Sequence, residues 1–572
     1  VKRYKGLIKP ILGSAMAVTP FFVDLAPPYG LLKGAILDGA ALFLLISEFL
    51  IFKRVIRELR RRPGRWPFAQ LTMSAMSLGL LLLWFSRWIY AFNPETGFKN
   101  PGRYLTFLQA SSLLLIALLF MRARTARLWR TWAEATPARS AISLFFVAAM
   151  IGTYLLIMPW SLNPDASVKF IDALFISISA LTVTGLSPLS IEHTFSTFGK
   201  SILLILIQLG GLGIITLSVG LAAITRRRMS LSGLQMGQEI YGIPNLGATI
   251  PFISKAALLT LSIEVIGALL LLTTLPQDRG GFFNALFHSV SAFCNAGFST
   301  YNDNLIFQNG GGGAIAIIGA LIMLGSIGFP VLFEIGGRLV PQGRRQRQRL
   351  HFSGYVRLTL LVALVVYALG FIAIFTLETI YEGTQLPLLT RLSHAAFYTI
   401  SSRTAGFNIH DLATMSLGGQ LFIALLMIIG GSPVSTAGGI KTTTTGVLVI
   451  ATTSILAGHK WIQFRYREIP SLILQKAVAV ITIYFTILFL ALLVLFASEQ
   501  SSPWPLAFEA ISALSTTGLS IGATANLTPI GKMTIMALMV TGRVGLLTMI
   551  YAGVGKQGSQ RFRYPKEQLY VG

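Results

Sequence analysis

Four short segments of this sequence share a pattern that could hold a bare cation. They are "ALTVTGLS" (180–187), "AFCNAGFS" (292–299), "SSRTAGFN" (401–408) and "ALSTTGLS" (513–520). Each places glycine sixth, then Leu or Phe, then Ser or Asn. The glycines, Gly185, Gly297, Gly406 and Gly518, lie 112, 109 and 112 residues apart. Glycine takes backbone angles closed to other residues and leaves no side chain in the way. Four such segments around one axis could offer backbone carbonyls in place of a cation's water shell. The residues that would form this filter are Val183, Thr184, Gly185 and Leu186; Asn295, Ala296, Gly297 and Phe298; Thr404, Ala405, Gly406 and Phe407; and Thr516, Thr517, Gly518 and Leu519.

Other chemistries find little support. The six His are scattered without an HExxH or a paired spacing, which argues against a metal enzyme. The single Cys294 excludes an intramolecular disulfide framework. No catalytic constellation or nucleotide-binding loop is visible, so the chain is not read as an enzyme. Any nucleotide control must come from a partner.

The elements around the four segments must be membrane helices. The 572 residues are 53% hydrophobic and 12% charged, with mean hydropathy +0.69. Apolar stretches of 18 or more residues recur, each long enough to cross a ~30 Å hydrocarbon layer. We expect an all-α polytopic protein in contact with membrane lipid, since the alternation of a membrane β-barrel is missing. The net charge of +25 collects in short connectors: "KRVIRELRRRPGR" (53–65), "RRR" (226–228), "GRRQRQR" (343–349) and "RYRE" (465–468). Such a bias marks cytoplasmic loops. A nucleic-acid partner is not expected, because no soluble module surrounds these runs.

Each glycine segment follows a short apolar stretch, such as "DALFISISALTVTG" (172–185) or "NALFHSVSAFCNAG" (284–297), too short to span a bilayer. "SHAAFYTISSRTAG" (393–406) and "LAFEAISALSTTG" (506–518) are looser versions. Full-length apolar stretches flank them near 140–160 and 199–224, 253–275 and 313–336, 355–378 and 418–457, and 474–497 and 530–554. The unit is therefore helix, pore loop, helix, repeated four times in pseudo-fourfold arrangement. We divide the chain into repeats at 140–230, 231–345, 346–460 and 461–556, with a tail at 557–572. Residues 1–139 form an extension with three clear spans, near 31–52, 69–92 and 104–121, and a marginal one near 7–25. A cleaved signal peptide is the alternative for that marginal segment. With four spans counted, both termini are cytoplasmic and the glycine segments lie in the outer half of the membrane.

A second repeated signal reads "LGGLGIIT" (209–216), "LGSIGFPV" (324–331), "IGGSPVST" (429–436) and "TGRVGLLT" (541–548). Its second-place glycine falls 24 to 28 residues after the filter glycine, about half a bilayer back toward the inner side. "GGSPVSTAGGIK" (430–441) holds Gly430, Gly431, Pro433, Gly438 and Gly439, which should break the third second-helix. Arg543 takes the place held by Gly211, Ser326 and Gly431 in the other repeats. A charge at that depth faces the bundle interior or water. It could hold the broken segment through its carbonyls, or belong to a buried ion pair. Lys441 is either a second such charge or snorkels to the cytoplasmic side. Arg403 should brace the third segment from behind, against an acid such as Asp411 or Glu509. Cys294 and Thr182 should pack behind the filter. His288, His394 and His410 occupy unequal places and should not form a ligand ring.

The set of "TVTGL" (182–186), "NAGFS" (295–299), "RTAGF" (403–407) and "STTGL" (515–519), with "GGSPVSTAGGIKTTT" (430–444), resembles the Trk/Ktr/HKT superfamily of potassium transporters. The closest likeness is to the bacterial KtrB-type membrane subunits, over roughly residues 140–556. The resemblance implies K⁺ uptake, and a gate formed by Gly430, Gly431, Ser432, Pro433, Ser435, Thr436, Gly438, Gly439 and Lys441, with Arg543. It also implies a homodimer in the cell membrane and Na⁺ as an activator. Its cytoplasmic partner would be a KtrA/TrkA-like ring of RCK domains that binds the nucleotide. Residues 338–349 and 556–572 could dock that ring, or only satisfy the positive-inside bias. A Trk-type subunit or a sodium-conducting relative is the alternative. In plant-type relatives a serine at the first filter glycine goes with Na⁺, and Gly185 opposes that here.

Overall fold

A computed structural model of the chain describes residues 137–213, 249–276, 281–306, 312–339, 352–382 and 387–545. The spans expected within 1–136, the basic runs at 53–65, 226–228 and 343–349, and the tail lie outside the described residues.

The described chain is helical. The elements are α1 Pro137–Ile157, α2 Phe170–Thr182, α3 Thr197–Leu212, α4 Thr249–Thr274, α5 Phe282–Phe293, α6 Gly313–Ile327 and α7 Phe329–Leu339. There follow α8 Gly354–Glu382, α9 Leu388–Ser401, α10 Leu417–Ile428, α11 Thr442–Leu456, α12 Ser471–Ser498, α13 Pro503–Ser515 and α14 Pro529–Val544. A two-stranded hairpin, β1 Gln463–Phe464 and β2 Arg467–Glu468, joins α11 to α12. Its turn is Arg465 and Tyr466, both left-handed, so part of the basic "RYRE" run is a solvent-exposed turn.

Among the described residues, Ile250–Thr274, Gly354–Tyr381 and Ser471–Ser498 are long and apolar enough to cross a membrane. Their outer faces stay uncovered: Leu364, Leu369 and Phe489 are exposed. Large apolar side chains turned outward in this number are what a lipid solvent tolerates and water does not. Inward, the packing is tight. The short helices α2 and α5 press against α1 and α4 at Gly152 and Gly267. A Cβ on either glycine would sit 2.5 Å from Ser177 Oγ or Ser289 Oγ. Those serine hydroxyls donate to the carbonyls of Ala149 (2.8 Å) and Glu264 (2.6 Å), tying each short helix to the long one before it.

The helices close on themselves. Each short helix packs on the later helix of the preceding set: α5 on α3, α9 on α6, α13 on α10 and, completing the circuit, α2 on α14. Three later helices start at a hydroxyl cap, with Ser196, Ser416 and Thr528 accepting from Gly199, Gly419 and Gly531 N–H. Two of these caps also donate to an acid from the preceding long-helix region. Ser416 Oγ lies 2.7 Å from Glu378 Oε1, and Thr528 Oγ1 lies 2.5 Å from Glu499 Oε1.

The later helices differ from the sequence expectation. The third is interrupted as expected, stopping at Ile428 and resuming at Thr442. The second, expected as one span over 313–336, is also broken: α6 and α7 meet at 102° around Gly328. In the first and fourth a helix ends at the caps Gly213 and Gly545, and residues 214–224 and 546–554 of the expected spans lie outside the described residues. All three glycines have left-handed φ, between 87° and 98°. They occupy the fifth place of the LGGLG-type signal, and that place carried the stop.

Where the circuit closes, Lys532 Nζ on α14 meets Asp172 Oδ1 on α2 at 2.6 Å, with side chains 12% and 8% exposed. Removing one partner strands the other charge in a dry place, which costs about 3 kcal/mol or more. Lys532→Ala or Asp172→Ala should therefore lower the thermal unfolding midpoint in detergent markedly. Lys532→Met with Asp172→Leu should recover most of the loss. An unchanged midpoint in both single variants would show that the pair does not close the circuit.

Candidate functional site: four glycine segments and an interrupted helix

The four glycine segments meet at one place. A Cβ on Gly185 would strike the carbonyl oxygen of Ala296. One on Gly297 would lie 2.7 Å from Ala405 O, and one on Gly406 would lie 2.6 Å from Thr517 O. A Cβ on Gly518 would strike Thr184 O. Each glycine thus abuts the carbonyl that precedes the glycine of the next segment, in cyclic order. No other residue type fits there.

The backbone of the segments alternates in handedness. Val183, Asn295, Thr404 and Thr516, two places before each glycine, have left-handed φ of 55°, 58°, 71° and 52°. The glycines themselves have φ of 95°, 68°, 74° and 89°, with an ordinary residue between. In an extended strand successive carbonyls point to opposite sides; alternating the handedness turns them to one side. The non-glycine residues hold a conformation that costs roughly 1 kcal/mol or more each. Four equivalent exceptions mark a place where carbonyl direction matters.

A serine inside each short helix holds this backbone from behind, and all four are fully buried. Ser179 Oγ accepts from Gly185 N–H (3.1 Å) and Ser512 Oγ from Gly518 N–H (2.9 Å). Ser291 and Ser401 donate to the carbonyls of Phe298 (2.7 Å) and Phe407 (2.6 Å). Sequence reasoning missed these serines. The signal was present, because three of them stand six residues before their glycine. The hydroxyls of Thr404, Thr516 and Thr517 are buried without a protein partner. Buried oxygens of that kind ask for water or an ion.

Between α10 and α11, residues 429–441 form an irregular segment. Ile429 and Ile440 pair as a single parallel bridge, which brings its two ends together. The segment is anchored by its own backbone and by its neighbours. Ser432 N–H donates to Ser326 O (3.0 Å), and Thr436 Oγ1 to Phe293 O (3.1 Å). A Cβ on Gly438 would strike the Thr516 hydroxyl and lie 2.8 Å from Ser515 O, so the segment sits directly against the fourth glycine segment.

Two arginines hold it. Arg543 donates to the carbonyls of Thr436 in the segment and of Gly210 at the end of α3, so the carbonyl-holding alternative applies. Arg403 is 1% exposed and does not pair with Asp411 or Glu509, contrary to expectation. Its guanidinium donates to Gly430 O at 2.8 Å and lies 4.6 Å from the centre of the Tyr367 ring. The acids are engaged elsewhere: Asp411 caps Ala413 N–H, and Glu509 takes two hydroxyls of its own segment. Lys441 turns back to Ala437 O (2.7 Å) instead of snorkelling. Cys294 lies behind its segment as expected, 3.5 Å from Glu264 Oε1. Thr182 bonds within its own helix and to Thr184. His288 bonds Asn284 O and Ser299, while the rings of His394 and His410 lie together, 5.7 Å apart. Among the described residues no group of His, Cys, Asp and Glu is arranged to hold a metal.

The family model of the cation transport protein TrkH matches residues 116–561. The chain is 36% identical over 446 residues to the Ktr system potassium uptake protein B of Bacillus subtilis, covering 77% of this chain and 98% of that protein. It is 32% identical over 451 residues to the potassium/sodium uptake protein NtpJ of Enterococcus hirae, covering 76% and 97%. Its fold resembles the crystal structure of the potassium transporter TrkH from Vibrio parahaemolyticus, with TM-score 0.59, 18% identity, and coverage of 84% of this chain and 96% of that one. The chain belongs to the TrkH family of cation transport proteins, and its work is ion transport rather than catalysis.

Proposed function

We propose that this protein carries K⁺ into the cell through a pore lined by four glycine segments. The observation that carries the reading is the cyclic contact of each glycine with the next segment's carbonyl. Four helix–loop–helix repeats then surround one axis in pseudo-fourfold arrangement, over 140–230, 231–345, 346–460 and 461–556. A K⁺ ion gives up its water for carbonyls of residues 183–186, 295–298, 404–407 and 516–519. The C-terminal ends of α2, α5, α9 and α13 aim their partial negative charge at the axis and favour a cation below it. The inward membrane potential drives the ion, by about 2.3 kcal/mol per 100 mV.

Residues 430–441 are the gate in this reading. The segment lies against Thr516, at the inner side of the filter, and its carbonyls are pinned by Arg543 and Arg403. The relatives' names support K⁺ as the ion and a place in a multi-component uptake system. A homodimer in the cell membrane, a cytoplasmic ring that binds the nucleotide, stimulation by Na⁺ and cytoplasmic termini complete the proposal. Gly185 speaks against a sodium-conducting filter: a side chain at φ 95° would be strained and would meet Ala296 O.

Two measurements test this. Liposomes holding the purified chain should pass K⁺ and Rb⁺ well above Na⁺. Gly185→Ser should cut that preference about tenfold, since it strains one quarter of the filter by about 1–2 kcal/mol. An unselective wild type would remove the filter from these segments. Arg543→Ala should raise basal K⁺ flux about tenfold or more, because a charged hydrogen bond holds about 1.5–3 kcal/mol of the closed state. Flux equal to wild type in the folded variant would move the gate elsewhere.

A further inference from the structure

The position nine residues before each filter glycine is Ile176, His288, Phe397 or Glu509. All four side chains are buried in the short helices. Two are apolar, so the site does not itself require a polar group. The two polar ones belong to α5 and α13, in the second and fourth repeats, which face each other across the proposed axis.

Both make the same bond. His288 Nε2 lies 3.0 Å from Ser299 Oγ, and Ser520 Oγ donates to Glu509 Oε1 at 2.5 Å. Each serine stands two residues after its filter glycine. Each also accepts from the backbone two residues further on, Ser299 from Tyr301 N–H and Ser520 from Gly522 N–H, both at 3.0 Å. Glu509 goes further: its other oxygen accepts from Thr524 Oγ1 at 2.7 Å. Among the described residues no cation pairs with it. A fully buried carboxyl placed so is costly unless its bonds repay the desolvation. Here both hydroxyl donors, Ser520 and Thr524, stand on the stretch that leaves the filter, Thr524 at the start of a short 3-10 turn. The first repeat has no such tie, because Ile176 offers no polar atom and Ser187 donates instead to Leu189 O.

We propose that Glu509, with His288 opposite, is a positioning residue that sets the filter's discrimination between K⁺ and Na⁺. Resting on the four-segment filter above, it fixes the strand beyond Gly518 and stops the carbonyls from closing onto a smaller ion. Selectivity by cavity size and selectivity by carbonyl number both need strands that do not collapse. A two-fold pair of braces within a four-fold pore is sufficient, because each glycine is packed on its neighbour's carbonyl.

The test uses the full chain in liposomes and reads the Rb⁺-over-Na⁺ flux ratio. The variants are Glu509→Ala, Glu509→Gln, Ser520→Ala and Gly185→Ser. Glu509→Ala and Ser520→Ala should lower the ratio about tenfold, whereas Glu509→Gln, which still offers an oxygen and an N–H to the two hydroxyls, should stay within about threefold of wild type. A thermal midpoint measured in K⁺ and in Na⁺ gives a second readout. The extra stabilisation by K⁺ should shrink in Ser520→Ala and persist in Glu509→Gln. If Glu509→Ala does not fold, Ser520→Ala carries the test, since it leaves the short helix intact. A wild-type ratio in folded Ser520→Ala overturns the proposal, and so does equal loss in Glu509→Gln and Glu509→Ala. In both cases a selective wild type that Gly185→Ser impairs leaves the filter standing. If wild type does not discriminate and Gly185→Ser changes nothing, the filter reading fails and this proposal falls with it.

Discussion

Extended backbone at the depth of a hydrocarbon layer persists only if each polar group not given to an ion is bonded within the protein. That constraint shapes most of what surrounds the four glycine segments. Hydroxyls of Ser179 and Ser512 take the glycine N–H groups, and those of Ser291 and Ser401 occupy the carbonyls just past the glycines. The strained left-handed residues before each glycine are then held by bonds from behind and by the neighbouring segment in front. Segments held so need short helices that end where the segments begin. Those helices need long partners with glycine where they touch, as at Gly152 and Gly267. The long helices can give their remaining surface to lipid.

The interrupted segment obeys the same constraint by other means. Its backbone cannot form a helix across Gly430, Gly431, Pro433, Gly438 and Gly439, so its carbonyls need donors from outside. Arginine suits this because one planar head reaches several acceptors. Arg543 spans the segment and the end of α3; Arg403 reaches its first glycine from behind the third glycine segment. In both cases the guanidinium donates to carbonyl oxygens of the backbone. Hydrogen bonds of this kind can be released by a small displacement.

Much of this was legible in the sequence. Glycine spacing marked the four segments, and clustered helix breakers marked the interruption, because both depend on what the backbone alone can do. What stayed hidden depends on side chains meeting across the fold. Arg403 was expected to seek an acid, since pairing by charge is the only partner rule a sequence offers; the actual acceptor is a peptide oxygen 27 residues away. The stops at Gly213, Gly328 and Gly545 were readable but overlooked, because single glycines inside apolar runs are common and only their shared fifth place sets them apart. The bracing serines were overlooked for a similar reason, being small residues in helices that packing alone could explain.

The repeats keep a geometry and vary its chemistry. The residue three places before the glycine is Thr182, Cys294, Arg403 or Ser515. Three of these meet the first long helix of their own set: Cys294 faces Glu264, Arg403 lies over Tyr367, and Ser515 Oγ is 2.7 Å from the Tyr484 hydroxyl. The Cys294 thiol also reaches α3, 3.9 Å from Gln208 Oε1. Only the arginine is long enough to pass its aromatic neighbour and touch the interrupted segment. It stands in the repeat whose later helix is interrupted by thirteen residues of irregular chain, Ile429–Lys441. The third glycine segment is thus tied to the interrupted chain through a side chain, while the fourth meets it directly, with Gly438 against Thr516. The long side chain and the interruption it bonds belong to the same repeat, and Arg543 on α14 holds that interruption from the other side of the circuit, at Thr436.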